Sequence, residues 1–199
     1  MNLRPLPRRF YARDPAEVAR DLVGRLLVRE TGGVRMIGRI VEAEAYSRDD
    51  PASHSFKGQT RRNVTMFGPP GHAYVYVSHG IHHCLNVTTG GANAILLRAL
   101  QPVQGVQEMT RRRGVAEKRL LCAGPGRLCQ ALGIGLADDG HDLTRRQGLW
   151  VAPGEPSEAV AVTARIGISA AAEVPWRFVE EGSRYASRPV KVISSRRRP

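Results

Sequence analysis

The chain is poor in the residues that mark several common chemistries. It has three cysteines, at positions 84, 122 and 129, an odd number with no Cys-x-x-Cys pair. That usage argues against a disulfide framework or a zinc site and fits a reducing, cytoplasmic setting. Lysine occurs only at positions 57, 118 and 191, none in an apolar stretch that would depress its pKa, so a Schiff-base nucleophile is not expected. There is no Gly-x-Ser-x-Gly elbow and no Walker loop. No run approaches the length of a membrane span, and residues 1–13 lack the apolar core of a signal peptide. Acidic residues are scarce as well, 18 against 30 Lys and Arg, for a net charge of +12. Such an excess attracts polyanions and releases their counterions on contact. Most of it is arginine, which suits bidentate phosphate contacts.

What is present reads as one globular, loop-rich domain over residues 1–195, followed by a basic, disordered tail, Arg196–Pro199. Asp14-Pro15-Ala16-Glu17 is a helix-start signature, with proline at the first helical position, and predicts a helix to about Val23, stopped by Gly24. A short strand is expected over Leu26–Arg29. Gly32-Gly33 then turns the chain into a longer strand, Val34–Tyr46. Ser47–Pro70 reads as a long loop, and such loops in compact domains are usually functional. Ala73–Ser78 and Ile81–Thr88 flank His79-Gly80 and predict a hairpin. Ala94–Leu100 is expected to be a buried strand. Helices are expected over Val103–Arg112 and Gly126–Leu132, the start of the second placed to face a phosphate. Strands near Leu149–Val151, Val160–Ile168 and Trp176–Glu181 complete the domain.

Glu42, Glu44 and Tyr46 alternate onto one face of the long strand. Arg98, the lone charge in an apolar strand, is a natural partner for either glutamate. A carboxylate held by arginine on a mostly buried face is also how a water is aimed at an electrophilic carbon. Spacing alone does not choose between Glu42 and Glu44. Tyr46, Tyr74 and Tyr76 suit either packing or a stacking cage for a nucleobase. His72, His79, His82 and His83 cluster in sequence, but His82 and His83 point to opposite faces of a strand, and no Glu or Cys stands at a familiar ligand spacing. No metal is therefore expected.

The segments Ile40-Val41-Glu42-Ala43-Glu44-Ala45-Tyr46, His54-Ser55, Met66-Phe67, Gly71–Tyr76, Cys84-Leu85-Asn86 and Leu96–Leu100 together resemble the alkyladenine (3-methyladenine) DNA glycosylase family. So do Cys122–Leu132, Ala164-Arg165-Ile166-Gly167 and Pro175-Trp176-Arg177-Phe178. The resemblance spans nearly the whole chain with order and spacing kept. It implies an α+β fold: a single domain around a curved, mainly antiparallel sheet with peripheral helices and a protruding hairpin that enters the minor groove.

The resemblance also implies roles. Glu44 matches the catalytic carboxylate that activates water, Arg98 an arginine that holds that water, and the Ile166 carbonyl a third contact to it. Tyr46, His54 and Tyr76 match residues that sandwich a flipped base, with Leu96 beside them. Asn86 matches a pocket-floor asparagine that excludes guanine. Arg61, Arg62 and Arg127 are expected on phosphates. The hairpin position that is commonly tyrosine in the family is His79 here, with less stacking area to fill the gap left by a flipped nucleotide. Ile81 stands where a second apolar wedge would help. The expected protein is a monofunctional repair glycosylase that acts without a cofactor, as a monomer, on double-stranded DNA carrying an alkylated purine. Two rivals remain from the residues alone: a non-catalytic DNA-binding module, and a metal-dependent hydrolase built on the histidines.

Overall fold

A computed structural model describes residues 3–190. The tail expected at 196–199 lies outside them. Helix α1 (Arg8–Tyr11) is a single turn, and α2 (Pro15–Leu22) follows. Asp14 caps α2 by accepting from the N–H groups of Ala16 and Glu17, which satisfies two of its orphan donors. Val18, Ala19 and Leu22 bury one face of α2 against the sheet.

The sheet is built from β1 (Leu26–Thr31), β2 (Val34–Tyr46), β3 (Ala73–Ser78), β4 (His82–Gly90), β5 (Asn93–Gln104), β6 (Leu149–Ala152), β7 (Val160–Thr163) and β8 (Arg177–Glu180). Its main path runs β3-β4-β5-β2-β1-β6, and β8 joins β2 to β7. Every strand pair is antiparallel. The expected α+β class is therefore the one observed.

The long strand β2 organises the site. Its first half pairs with β1. Its second half lies between β5 and β8. Ile40 pairs with Leu100 and Glu42 with Ala99, so Val41 is an extra residue and the strand is bulged there. A bulge bends a strand and re-aims its side chains. Below the sheet, α3 (Val106–Arg113) and α4 (Pro125–Leu132) bury Met109, Leu128, Cys129, Ala131 and Leu132 in the main core.

Three expectations shift. Strand β5 continues through Pro102 to Gln104, so α3 starts at Val106 rather than Val103. Pro102 pairs with Gly38 and Gln104 with Ile37, which leaves Val103 as a bulge, and a bulge tolerates a proline lacking its N–H. The strand expected to Ile168 stops at Thr163, because Arg165 turns inward and Gly167 takes a left-handed φ of 78°. Helix α4 starts one residue early, with Pro125 at its first position.

Candidate active site

A cleft of about 1140 Å³ opens between the 47–70 loop, the β3–β4 hairpin, β5, the start of α4 and the loop after β7. That is more than one purine needs, and leaves room for flanking sugar and phosphate. Its floor is set by the strand register. Asn86 pairs with Leu96, Leu96 with Glu44 and Glu44 with Arg177, so one row crosses four strands. Asn86 is buried and donates through Nδ2 to the Tyr74 carbonyl at 3.1 Å.

The aromatic wall comes from two elements. His54, on the long loop, meets Tyr76 of β3 edge to face with ring centroids 4.4 Å apart. Its Nδ1 lies 2.9 Å from the Tyr74 hydroxyl. The loop segment is tied down by Asn63, which donates to the carbonyls of His54 and Gly58. Burial lowers the proton affinity of the His54 imidazole, which favours a neutral ring. Because His54 and Tyr76 touch, they form one wall, and a base held between aromatics would have Tyr46 as its other face. Tyr46 is backed by the buried Arg165 guanidinium, 4.6 Å from its ring centre. Arg165 pairs in turn with Asp50 and donates to the carbonyls of Ala45 and Ala171.

Both glutamates of β2 are fully buried, yet their surroundings differ. Glu42 Oε1 accepts from Arg98 Nε, Arg177 Nε and the Ser187 hydroxyl, and Oε2 from the Ser187 N–H. Three of these four donors crowd Oε1, and those from Arg177 and Ser187 come from residues that do not line the cleft. Glu44 has three: Ile166 N–H on Oε1 at 2.8 Å, and on Oε2 the Tyr46 hydroxyl at 2.9 Å and Arg98 Nη1 at 3.1 Å. Oε1, with a single donor, keeps an acceptor position that a water can use. Tyr46, Arg98 and Ile166 all line the cleft, whereas Glu44 sits just behind them. Ile166 was expected to act through its carbonyl. Here its N–H holds Glu44, and its carbonyl lies 3.5 Å from Arg98 Nη1.

Burial raises the proton affinity of Glu44 above the ordinary carboxylate value. Arg98, the Ile166 N–H and the Tyr46 hydroxyl oppose that rise, and the charge on Glu42 adds to it. For Arg98, burial disfavours the charge, but Glu44 and Glu42 outweigh it and hold the guanidinium protonated. Burial and then the charge on Glu44 keep the Tyr46 phenol protonated, so it donates to the carboxylate. A buried carboxylate with a raised pKa and one open acceptor position is suited to take a proton from water near neutral pH.

At the hairpin tip, His79 and Gly80 both have positive φ, 51° and 74°, and the Ile81 N–H bonds the Ser78 carbonyl. That is the sign pattern of a type I′ turn, which suits the twist of the flanking strands. Ile81 is 74% exposed, a large apolar side chain held in water. Arg62 and Arg127 border the cleft, while Arg61 is exposed but not on its rim. The four histidines do not converge. His72 lies by Arg8, His79 is at the turn, His82 packs on Gly126 and His83 faces Gly135. Among the described residues no group of three or more His, Cys, Asp or Glu is arranged to hold a metal ion. Nor does any described helix have the length and apolarity to cross a membrane.

Arg165, Arg177 and Ser187 carry much of this geometry, but sequence reasoning gave them no role. Arg165 and Arg177 had the same signal as Arg98, a lone charge beside apolar neighbours. Ser187 had none.

Residues 9–184 match the family described as Methylpurine-DNA glycosylase (MPG). Three relatives carry the name "Putative 3-methyladenine DNA glycosylase". One from Carboxydothermus hydrogenoformans is 50% identical over 92% of this chain and 98% of its own. One from Rhodopseudomonas palustris (strain HaA2) is 52% identical over 94% and 92%. One from Methanoculleus marisnigri is 48% identical over 92% and 98%. On both the family match and the relatives, the chain belongs to the methylpurine-DNA glycosylase family.

Proposed function

We propose that the protein is a monofunctional DNA glycosylase of base excision repair that extrudes an alkylated purine, 3-methyladenine or a related lesion, from double-stranded DNA and hydrolyses its N-glycosidic bond. In this reading it works as a monomer without a cofactor. The observation that carries it is the contrast between the two buried glutamates. Arg177 and Ser187, off the cleft, supply three of the four donors to Glu42, while all three donors to Glu44, from Tyr46, Arg98 and Ile166, come from residues that line it.

The chemistry follows from the substrate's charge. Alkylation at N3 or N7 makes the purine cationic and a good leaving group. As the glycosidic bond breaks, the sugar becomes oxocarbenium-like, which a nearby carboxylate stabilises. Glu44 then takes a proton from a water attacking the anomeric carbon, with Arg98 and the Ile166 carbonyl orienting it. A well-placed base contributes roughly 10²–10⁴-fold. The neutral His54 ring with Tyr76 on one side, and Tyr46 on the other, stack the extruded base. A cationic base gains further from the faces of the tyrosines. Extrusion costs a few kcal/mol, least for a lesion that pairs poorly. Ile81 and His79 enter the duplex to fill the vacated space, and Asn86 on the pocket floor discriminates by exocyclic groups.

The test is Glu44→Gln, assayed for base release and for binding on methylated duplex DNA. Release should be abolished and binding retained. Release at the parent rate would remove Glu44 from the chemistry. Binding without release by the parent protein would favour the non-catalytic DNA-binding reading instead.

A further inference from the structure

Arg98 touches two carboxylates with different nitrogens, Nε on Glu42 at 3.0 Å and Nη1 on Glu44 at 3.1 Å. A planar guanidinium gripped at Nε cannot rotate without breaking that bond, so the direction of Nη1 is fixed by Glu42. Glu42 is itself immobilised. Arg177 of β8 donates to it through Nε at 2.8 Å. From beyond β8 the chain folds back, so that Ser187 closes over it with both its N–H and its hydroxyl. Arg177 also holds this returning segment by donating to the Arg188 carbonyl, and Tyr185 packs on Val41 and Ala99 beside it. Next to Glu42, β2 is bulged at Val41, and a bulge re-aims the side chains beside it.

We propose that Glu42 is a positioning residue for base release: locked by Arg177 and Ser187, it holds Arg98 so that Nη1 stays on Glu44 and beside the Ile166 carbonyl. The proposal rests on the reading of Glu44 as the general base. It explains why the site carries two buried carboxylates on one strand when only one is held wholly by residues that line the cleft. It also explains the second arginine. Glu42, Glu44, Arg98 and Arg177 together balance two negative charges with two positive ones. Arg98 is therefore shared between the glutamates rather than captured by Glu42.

The arrangement has a signature that mere structural support would lack. The charged and titratable groups around Glu44 are Glu42 and Tyr46 on β2, Arg98 on β5 and Arg177 on β8. Further out are Arg165 with Asp50 behind Tyr46, and Tyr76 with Cys84 on the hairpin. Glu42→Gln removes a like charge and frees the positive charge of Arg177, and both changes favour ionised Glu44, while the weakened grip on Nε lets Nη1 of Arg98 lose its aim. Arg177→Gln does the reverse, because it removes a cation and draws Arg98 toward Glu42.

The experiment is single-turnover base release on methylated duplex DNA from acid to neutral pH, for the parent, Glu42→Gln, Arg177→Gln and Glu44→Gln. Glu42→Gln should lower the plateau rate about ten- to a hundred-fold, less than the full contribution of a general base. Its acid limb should move to lower pH, and that of Arg177→Gln to higher pH, with lesion binding nearly unchanged in both. If Glu42→Gln does not fold, the direction of the Arg177→Gln shift decides. A parent-like plateau rate in Glu42→Gln, or acid limbs that stay at the parent position, overturns the positioning role while leaving Glu44 as base, provided Glu44→Gln is inactive. Parent-like release by Glu44→Gln would instead sink the underlying reading.

Discussion

Tyr46 and Glu44 stand two residues apart on β2, and the phenol donates to Glu44 Oε2 at 2.9 Å. The ring lines the cleft and the carboxylate lies directly behind it, so the stacking surface and the proposed base form one unit. In the proposed reaction, an extruded purine pressed on that ring would be registered against the carboxylate by a single strand of the sheet.

Tyr46→Phe separates the two functions, since it keeps the ring and deletes the donor. A hydrogen bond to a charged group is worth ~1.5–3 kcal/mol, and about 1.4 kcal/mol of it felt in the transition state costs about ten-fold in rate. Base release should fall by about that factor, with binding preserved. The phenol lowers the proton affinity of Glu44, so its loss should also move the acid limb to higher pH. A pH–rate profile of the variant superimposable on the parent's would show that the bond has no part in catalysis.

Stability should carry the imprint of Glu44. Its folded-state pKa is raised, chiefly by burial, so between the unfolded and folded values the native state binds more protons than the unfolded chain. Stability from this group is therefore highest in acid and declines as pH rises through the folded value. Glu44→Gln abolishes that decline. Thermal melts across the acid-to-neutral range should show the variant gaining on the parent as pH rises. A parent that instead gains on the variant would mean that its ion pair with Arg98 outweighs burial.

How far these features could be read from sequence depends on how local their causes are. The run Val34–Tyr46 was legible because glycines precede it and its side chains alternate, and β2 has those bounds. The α2 start was legible because Asp14 and Pro15 are a local cap. The strand expected through Ile168 was not, because what ends it is long-range: Arg165 leaves the strand to reach Asp50 and the Ala45 carbonyl, some 115 to 120 residues away. The bulge that admits Pro102 is likewise set by the partner strand. At the site, Arg98 stood out as a lone charge among apolar residues. The choice between Glu42 and Glu44 came only from family resemblance, because what physically distinguishes them is the number of donors that distant segments bring to each.

The hairpin tip gives a third prediction. Ile81 is exposed and apolar, so its side chain gains burial only on contact with a partner. Ile81→Ser should leave folding intact and weaken binding to lesion duplex. His79→Tyr adds stacking area at a left-handed turn position with φ of 51°, in place of an imidazole whose Nδ1 lies 2.9 Å from the Ser78 hydroxyl. It should bind lesion duplex at least as tightly as the parent in fluorescence anisotropy. A clear loss of affinity would assign the imidazole a specific contact.

Salt dependence sorts the expected phosphate ligands. The net charge of +12 predicts binding that falls steeply with salt, with a log–log slope of about −0.9 per phosphate neutralised. Arg62 and Arg127 border the cleft, and Arg61 does not. Arg62→Ala and Arg127→Ala should therefore each make the slope shallower by about 0.9, weakening lesion and undamaged duplex alike. Arg61→Ala should change it less, because a side chain off the rim meets the phosphate backbone only through a screened field. Equal slopes for all three variants would show that the duplex tracks a wider surface than the cleft edge, and would return Arg61 to the contact set expected from its place in the basic loop.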